Sequence, residues 1–154
     1  MKRQSTSNIF ATNRKASFDY ALLDRFEAGI ELKGAEVKSI RDGKINLNDS
    51  FVRIDKQEAF LHGAHISPYK QSGPFAPDPI RIRRLLLHKS EIAKLNGITA
   101  QKGYTIVPTK VYFKKAKVKI EIAVAKGKRF FDKRQKLRER RIEREMQRSL
   151  KSQR

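Results

Sequence analysis

The sequence of 154 residues contains no cysteine. Disulfide bonds and thiolate zinc sites are therefore excluded. No apolar run is long enough to cross a bilayer, and Met1 to Ser17 lacks the apolar core of a secretory signal. Acids are scarce: 16 Asp and Glu stand against 36 Lys and Arg, a formal net charge of +20. The acids are scattered among basic residues, so the clustered carboxylates of a metal-dependent nuclease are missing. No glycine-rich phosphate loop, nucleophile–base pair or paired-carboxylate motif stands out. His62 and His65 are close in sequence, but on a strand an offset of three points them to opposite faces, which speaks against a metal pair. No catalytic residue, metal or cofactor is expected, and the chain does not read as an enzyme.

What is present is charge of one sign. Such an excess is a statement about partners, because it repels itself in the compact state. A polyphosphate is the natural counterpart, since each neutralised phosphate releases condensed counterions. An anionic membrane is the rival, but the most basic segment carries only a thin apolar stripe. The N-terminus is basic and acid-poor, as a transit peptide would be. A short RNA-contacting arm is the simpler reading, and the cytoplasm is the default location.

Three regions separate by composition. Residues 1–15 read as a mobile basic arm. Residues 16–125 hold nearly all the β-branched and aromatic residues, and residues 126–154 form a charged tail. In the middle region Phe18, Tyr20 and Leu22 alternate, which predicts a strand to about Phe26. Gly29 reads as a turn before a second strand at Ile30 and Leu32. A short helix fits Gly34 to Arg41, with Val37 and Ile40 on one face. Phe51–Ile54 and Ala59–Ile66 read as a hairpin around Asp55–Glu58. Pro68 to Pro79 reads as a long loop. After Arg81–Leu87 a helix starts near Ser90, with Ile92 and Leu95 inward and Gly97 as its end. The clearest strand is 117–125, where Val118, Ile120, Ile122 and Val124 oppose Lys117, Lys119 and Glu121. Its partner is Tyr104–Phe113, with Pro108 marking an edge or a bulge. The pattern predicts a mainly β protein: a small closed antiparallel barrel, OB-like, with short helices.

In the tail, 13 basic and 4 acidic residues leave +9 of the total charge. Asp132 followed by Gln135 resembles a capping box with Asp132 as N-cap. Ile142, Met146 and Leu150 recur every four residues, so a helix with a thin apolar seam can form. Like-charge repulsion makes that helix marginal alone, and contact with RNA would remove the repulsion. The tail is thus expected to be disordered when free and helical when bound.

Specific motifs then sharpen the reading. The runs Phe26–Glu27–Ala28–Gly29–Ile30, Gly34–Ala35–Glu36–Val37–Lys38–Ser39–Ile40–Arg41–Asp42–Gly43–Lys44 and Asn48–Asp49–Ser50–Phe51–Val52 closely resemble the SmpB family of SsrA-binding proteins. The likeness continues through Glu58–Ala59–Phe60–Leu61, Arg84–Leu85–Leu86–Leu87, Gly103–Tyr104–Thr105–Ile106–Val107–Pro108, Val124–Ala125–Lys126–Gly127–Lys128 and Asp132–Lys133–Arg134, in one order across almost the whole chain. The resemblance implies a barrel that grips the tRNA-like domain of transfer-messenger RNA (SsrA) and enters stalled ribosomes with it for trans-translation. The tail would then occupy the decoding centre and message channel, against small-subunit rRNA. A monomer is expected.

The resemblance also implies RNA contacts at Asn13, Glu27 and Leu86, with Arg14 and Lys15 beside Asn13 in the basic arm. In the tail it implies ribosome contacts around Asp132, Lys133 and Arg134, and the charge pattern adds Lys128, Arg138 and Arg141. Phe131 stands where the family commonly has His or Tyr; it can stack on a base but cannot hydrogen-bond. Ala35 stands where a bulky aromatic is frequent, and Phe18 where a basic residue or His is frequent. Leu150 belongs to the seam and would pack on a ribosomal surface. A generic single-strand-binding OB module is the other binding hypothesis, and it predicts no preference for a folded tRNA-like RNA.

Overall fold

The computed structural model describes residues 8–128 and 130–152, the side chains of Phe75 and of residues 130–136 excepted. The strongest alternation in the sequence becomes its main hairpin. Strands β8 (Tyr104–Lys114) and β9 (Lys117–Gly127) pair antiparallel around Lys115 and Ala116, both at positive φ. That left-handed turn matches the right-handed twist of the strands it joins. Val118, Ile120, Ile122 and Val124 point into the core, while Lys117, Lys119 and Glu121 lie on the opposite face. Pro108 resolves as a bulge: the register slips between Pro108 and Lys110, so the missing N–H sits where the ladder is already interrupted.

The remaining strands are β1 (Asn8–Thr12), β2 (Tyr20–Ile30), β3 (Ile45–Asn46), β4 (Phe51–Asp55), β5 (Glu58–His62), β6 (His65–Ile66) and β7 (Arg83–Leu86). The main sheet runs β1-β8-β4-β5-β7-β2-β9, and β8 also pairs with β9. The ring therefore closes through six strands, all antiparallel, which removes the free edges an open sheet would leave. The fold is mainly β and OB-like, as the pattern of short strands predicts. Helices α1 (Arg14–Asp19), α2 (Gly34–Arg41), α3 (Lys89–Thr99) and α4 (Phe130–Ser152) complete it. Ile40 of α2 and Leu95 of α3 are fully buried in the barrel core beside Leu61, Leu85, Ile106 and Ile120.

Several local expectations are corrected. Phe18 lies in α1 and is exposed, so the strand begins at Tyr20 instead. Gly29 makes no turn; it lies inside β2 opposite Leu86, and a Cβ there would sit 3.2 Å from the Leu86 Cβ. The glycine serves close strand approach. The single strand expected over 59–66 is broken at Gly63, whose positive φ separates β5 from β6. Gly97 lies within α3, which continues to Thr99 as Leu95 and Ile98 pack on the core. The 68–79 loop contains a 3-10 segment, Lys70–Phe75. Residues 8–12, expected in a mobile arm, pair with β8 as β1. Finally, α4 begins at Phe130, so Asp132 lies in its first turn and is not the N-cap.

The 64–81 segment is tied down by charge. Arg83 and Glu36 are 0% and 3% exposed and meet at 2.6 Å. Arg83 also donates to the carbonyls of Ala64, Pro79 and Arg81. Glu36 accepts from Arg81 at 2.6 Å and from the Lys33 N–H at 2.9 Å. Both partners are thus hydrogen-bonded beyond their mutual contact, the condition under which a buried pair is tolerated.

Candidate nucleic-acid interface

The outer wall of β8, β9 and β2 carries the charges that alternation keeps out of the core. Glu121 of β9 lies between Arg25 at 2.8 Å and Lys110 at 3.1 Å. Burial alone would raise its carboxyl, but the two cationic donors override this and hold it below its ordinary value. One step along the wall, Tyr112 donates its O–H to the Glu27 carboxylate, and Lys114 approaches at 3.3 Å. The Tyr112 hydrogen bond, aided by Lys114, lowers the Glu27 pKa. Burial and then the Glu27 contact push the Tyr112 phenol upward, so it stays a donor. Glu27 is therefore a fixed anionic acceptor on a half-open surface.

Leu86 lies beside it. The residue ends β7 opposite Gly29 and is 50% exposed, although the strand around it is buried at alternate positions. Glu27 and Leu86 line one cleft together with His88, Glu91 and Lys119. An apolar platform, a carboxylate acceptor and a cation in one cleft suit an unstacked base, an amino or ribose hydroxyl donor, and a phosphate respectively. The structure thus brings two of the residues chosen from the sequence into one place.

Asn13 is different. It is 3% exposed and caps α1, its side-chain oxygen accepting from the Ala16 N–H at 3.1 Å. Its amide nitrogen donates to the carbonyls of Pro108 at 2.9 Å and Leu47 at 3.2 Å. Both donors are used inside the protein, so Asn13 is not an exposed arm residue but joins α1, β8 and the segment after β3. Arg14 and Lys15 remain exposed in the first turn of α1. Lys15 pairs with Asp49 at 2.5 Å, and that hydrogen bond raises its pKa. Lys15 lines a second cleft with Asp49 and Phe51, apart from the Glu27 cleft.

At the barrel–tail junction, the Lys128 N–H donates to the Asp19 carbonyl and its Nζ to the Ser17 carbonyl. Lys128 thereby ties the exit of β9 to α1. Phe131, Asp132, Lys133 and Arg134 lie on α4, but their side chains fall outside the described residues. Arg138 and Arg141 are exposed, and Arg141 reaches Glu145 at 3.5 Å, one turn on. Leu137, Ile142, Met146 and Leu150 are all exposed, so the apolar seam faces outward. The helix runs from Phe130 to Ser152. His62 stacks on Phe51 with centroids 5.1 Å apart, on the outside of the β4–β5 hairpin. No helix among the described residues is long and apolar enough to cross a membrane.

Sequence reasoning missed the Glu36–Arg83 pair and the Tyr112 partner of Glu27. Neither has a local signature, because the partners lie 47 and 85 residues apart.

Comparison with known proteins then decides the family. The family model described as SmpB protein matches residues 10–152. The chain belongs to the SmpB family. An SsrA-binding protein of Caldicellulosiruptor saccharolyticus is 52% identical over 149 residues, covering 97% of this chain and 94% of that protein. One from Clostridium botulinum is 52% identical over 151 residues, covering 98% and 97%. Among solved structures, a chain described under "tmRNA-SmpB: a journey to the center of the bacterial ribosome" is 43% identical, with a TM-score of 0.67 over 79% of this chain and 85% of that one. The SmpB assignment thus spans both the barrel and the tail.

Proposed function

We propose that this chain binds the tRNA-like domain of transfer-messenger RNA and delivers it to stalled ribosomes for trans-translation. The observation that carries the reading is the near-full-length identity to SsrA-binding proteins, on a barrel whose Glu27 and Leu86 share one cleft. In this reading residues 16–125 form the RNA-binding unit, to which β1 adds a strand. Glu27 accepts from RNA, Leu86 supports an unstacked base, and Arg14 and Lys15 meet the backbone from α1. Asn13 acts through α1 and does not touch RNA itself. The tail from residue 126 enters the decoding centre and message channel, where its cations meet small-subunit rRNA. Phe131, Asp132, Lys133 and Arg134 begin the inserted helix, Lys128, Arg138 and Arg141 flank it, and Leu150 packs on a ribosomal surface. The protein is a monomeric RNA-binding partner without catalytic residues and works in the cytoplasm.

Competition binding tests the reading. Labelled tRNA-like RNA is displaced by unlabelled copies of itself or by an unstructured single strand of equal length. At physiological salt the folded competitor should be at least about a thousandfold more effective, the lower end of the usual ratio of specific to non-specific binding. Equal displacement would leave a generic single-strand-binding barrel.

A further inference from the structure

A second depression adjoins the Glu27 cleft across the ridge made by Gly29, Leu86 and Lys119. It has a volume of about 300 Å³, at the lower end of sites that enclose a small ligand. Its floor is apolar: Ile30, Leu32, Val37, Phe113 and Val118. Every charged residue lining it is a cation, namely Arg41 from α2 and Lys117 and Lys119 from β9. The Glu27 cleft, by contrast, contains two carboxylates. The Arg41 guanidinium rests 5.2 Å from the Phe113 ring centroid, which holds the charge at the groove's edge. None of the three cations forms an ion pair among the described residues.

We infer that this groove is a separate nucleotide site, taking one unstacked base of the bound RNA on its apolar floor and the flanking phosphates on Arg41 and Lys117. The inference rests on the RNA-binding reading above and adds a site to it. Three observations converge. An apolar floor accepts any base face without reading its edge. A rim of cations with no acid among its lining residues fits a phosphate. The groove also continues the cleft that Leu86 already lines, so one strand can pass from Glu27 over Leu86 into it. Lys119 on the ridge serves both sides.

The test uses the full-length protein and the tRNA-like domain of transfer-messenger RNA. Val37→Trp fills the groove from α2. Arg41→Ala with Lys117→Ala removes two exposed cations without entering the core. Circular dichroism and thermal melting establish that each variant is folded. Filling should weaken binding about tenfold to a hundredfold, the loss of one stacked base. The double alanine variant should weaken it about tenfold and flatten the dependence of log K on log salt by one to two. Wild-type affinity and slope in the folded double variant overturn the site. So does wild-type affinity in folded Val37→Trp, which would leave the groove to a ligand such as an acidic peptide. A wild-type protein with no preference for the folded RNA overturns the functional reading and this site with it. Selective wild-type binding that ignores both variants overturns the site alone.

Discussion

Tyr112 on β8 donates its phenolic O–H to the carboxylate of Glu27 on β2, reaching past the intervening strand β9. The contact fixes the orientation of an acid that would otherwise sweep the surface. Glu27→Ala should weaken binding of transfer-messenger RNA about tenfold to a hundredfold, the value of a hydrogen bond to a charged group. Tyr112→Phe keeps the ring and removes only the restraint, so it should lose about tenfold. Neither change should shift the melting temperature by more than a few degrees, since Glu27 is half-exposed and its loss leaves no cavity. Unchanged affinity in both variants would make the pair a purely structural contact.

Asn13 supplies a cap and two buried donors at one junction. Asn13→Ala should cost about 1–2 kcal/mol from the lost cap alone, with more from the orphaned carbonyls of Pro108 and Leu47. Asn13→Asp keeps the capping oxygen but removes both donors, so it should be destabilised as well. RNA affinity should fall with stability, and osmolyte stabilisation should recover part of it. A stable Asn13→Ala variant that had lost RNA binding would instead restore a direct contact.

The contrast between Asn13 and Glu27 shows what the sequence made legible. Alternation marked β9 because one face of a barrel strand is buried and the other is wet. Val118 to Val124 and Lys117 to Glu121 therefore declare their sides. The helix 34–41 was legible because Ile40 faces the core one turn after Val37. Asn13 was misread because a capping asparagine and a surface asparagine look alike until β8 comes alongside it. Gly29 was misread for a related reason: glycine marks a turn and a close strand contact equally, and only the Leu86 side chain distinguishes them. The Glu27–Leu86 cleft depends on pairing between β2 and β7, which lie far apart in the chain.

Burial would raise the Glu36 carboxyl, yet donors from Arg81, the Lys33 N–H and Arg83 together lower it below its ordinary value of 4.5. A lowered folded value means that Glu36 contributes stability fully above the unfolded value. That contribution is lost as pH falls through the folded value. Wild-type protein should therefore lose stability steeply below about pH 4, while Glu36→Gln, already less stable at neutral pH, should be flatter there. At pH 7, Glu36→Gln should cost about 3–5 kcal/mol because Arg83 remains buried without its counter-charge. Urea titrations across pH 3–7 measure both effects. Parallel curves for the two proteins would remove Glu36 from the acid transition.

The tail offers the sharpest division of labour. Helix α4 turns its seam of Leu137, Ile142, Met146 and Leu150 outward, and its described side chains are exposed along their length. Such a helix buries little and repels itself, so circular dichroism of the free protein should show a gain of helix on adding RNA or raising salt. Deleting residues 129–154 keeps Lys128 and its bonds to α1, and the remaining barrel should bind the tRNA-like domain within a few-fold of the full chain. On stalled ribosomes the same deletion should abolish alanine transfer from charged transfer-messenger RNA. Lys133→Ala with Arg134→Ala should do much the same, through lost phosphate contacts near the start of α4. Leu150→Ala, which removes apolar surface without adding charge, should lower transfer because the seam seats on a ribosomal surface; normal transfer would mean that it faces water. A hundredfold loss of RNA affinity on deletion would move the main RNA grip into the tail. Normal transfer by the deleted protein would remove the tail from the decoding step and leave the barrel as a carrier of RNA alone.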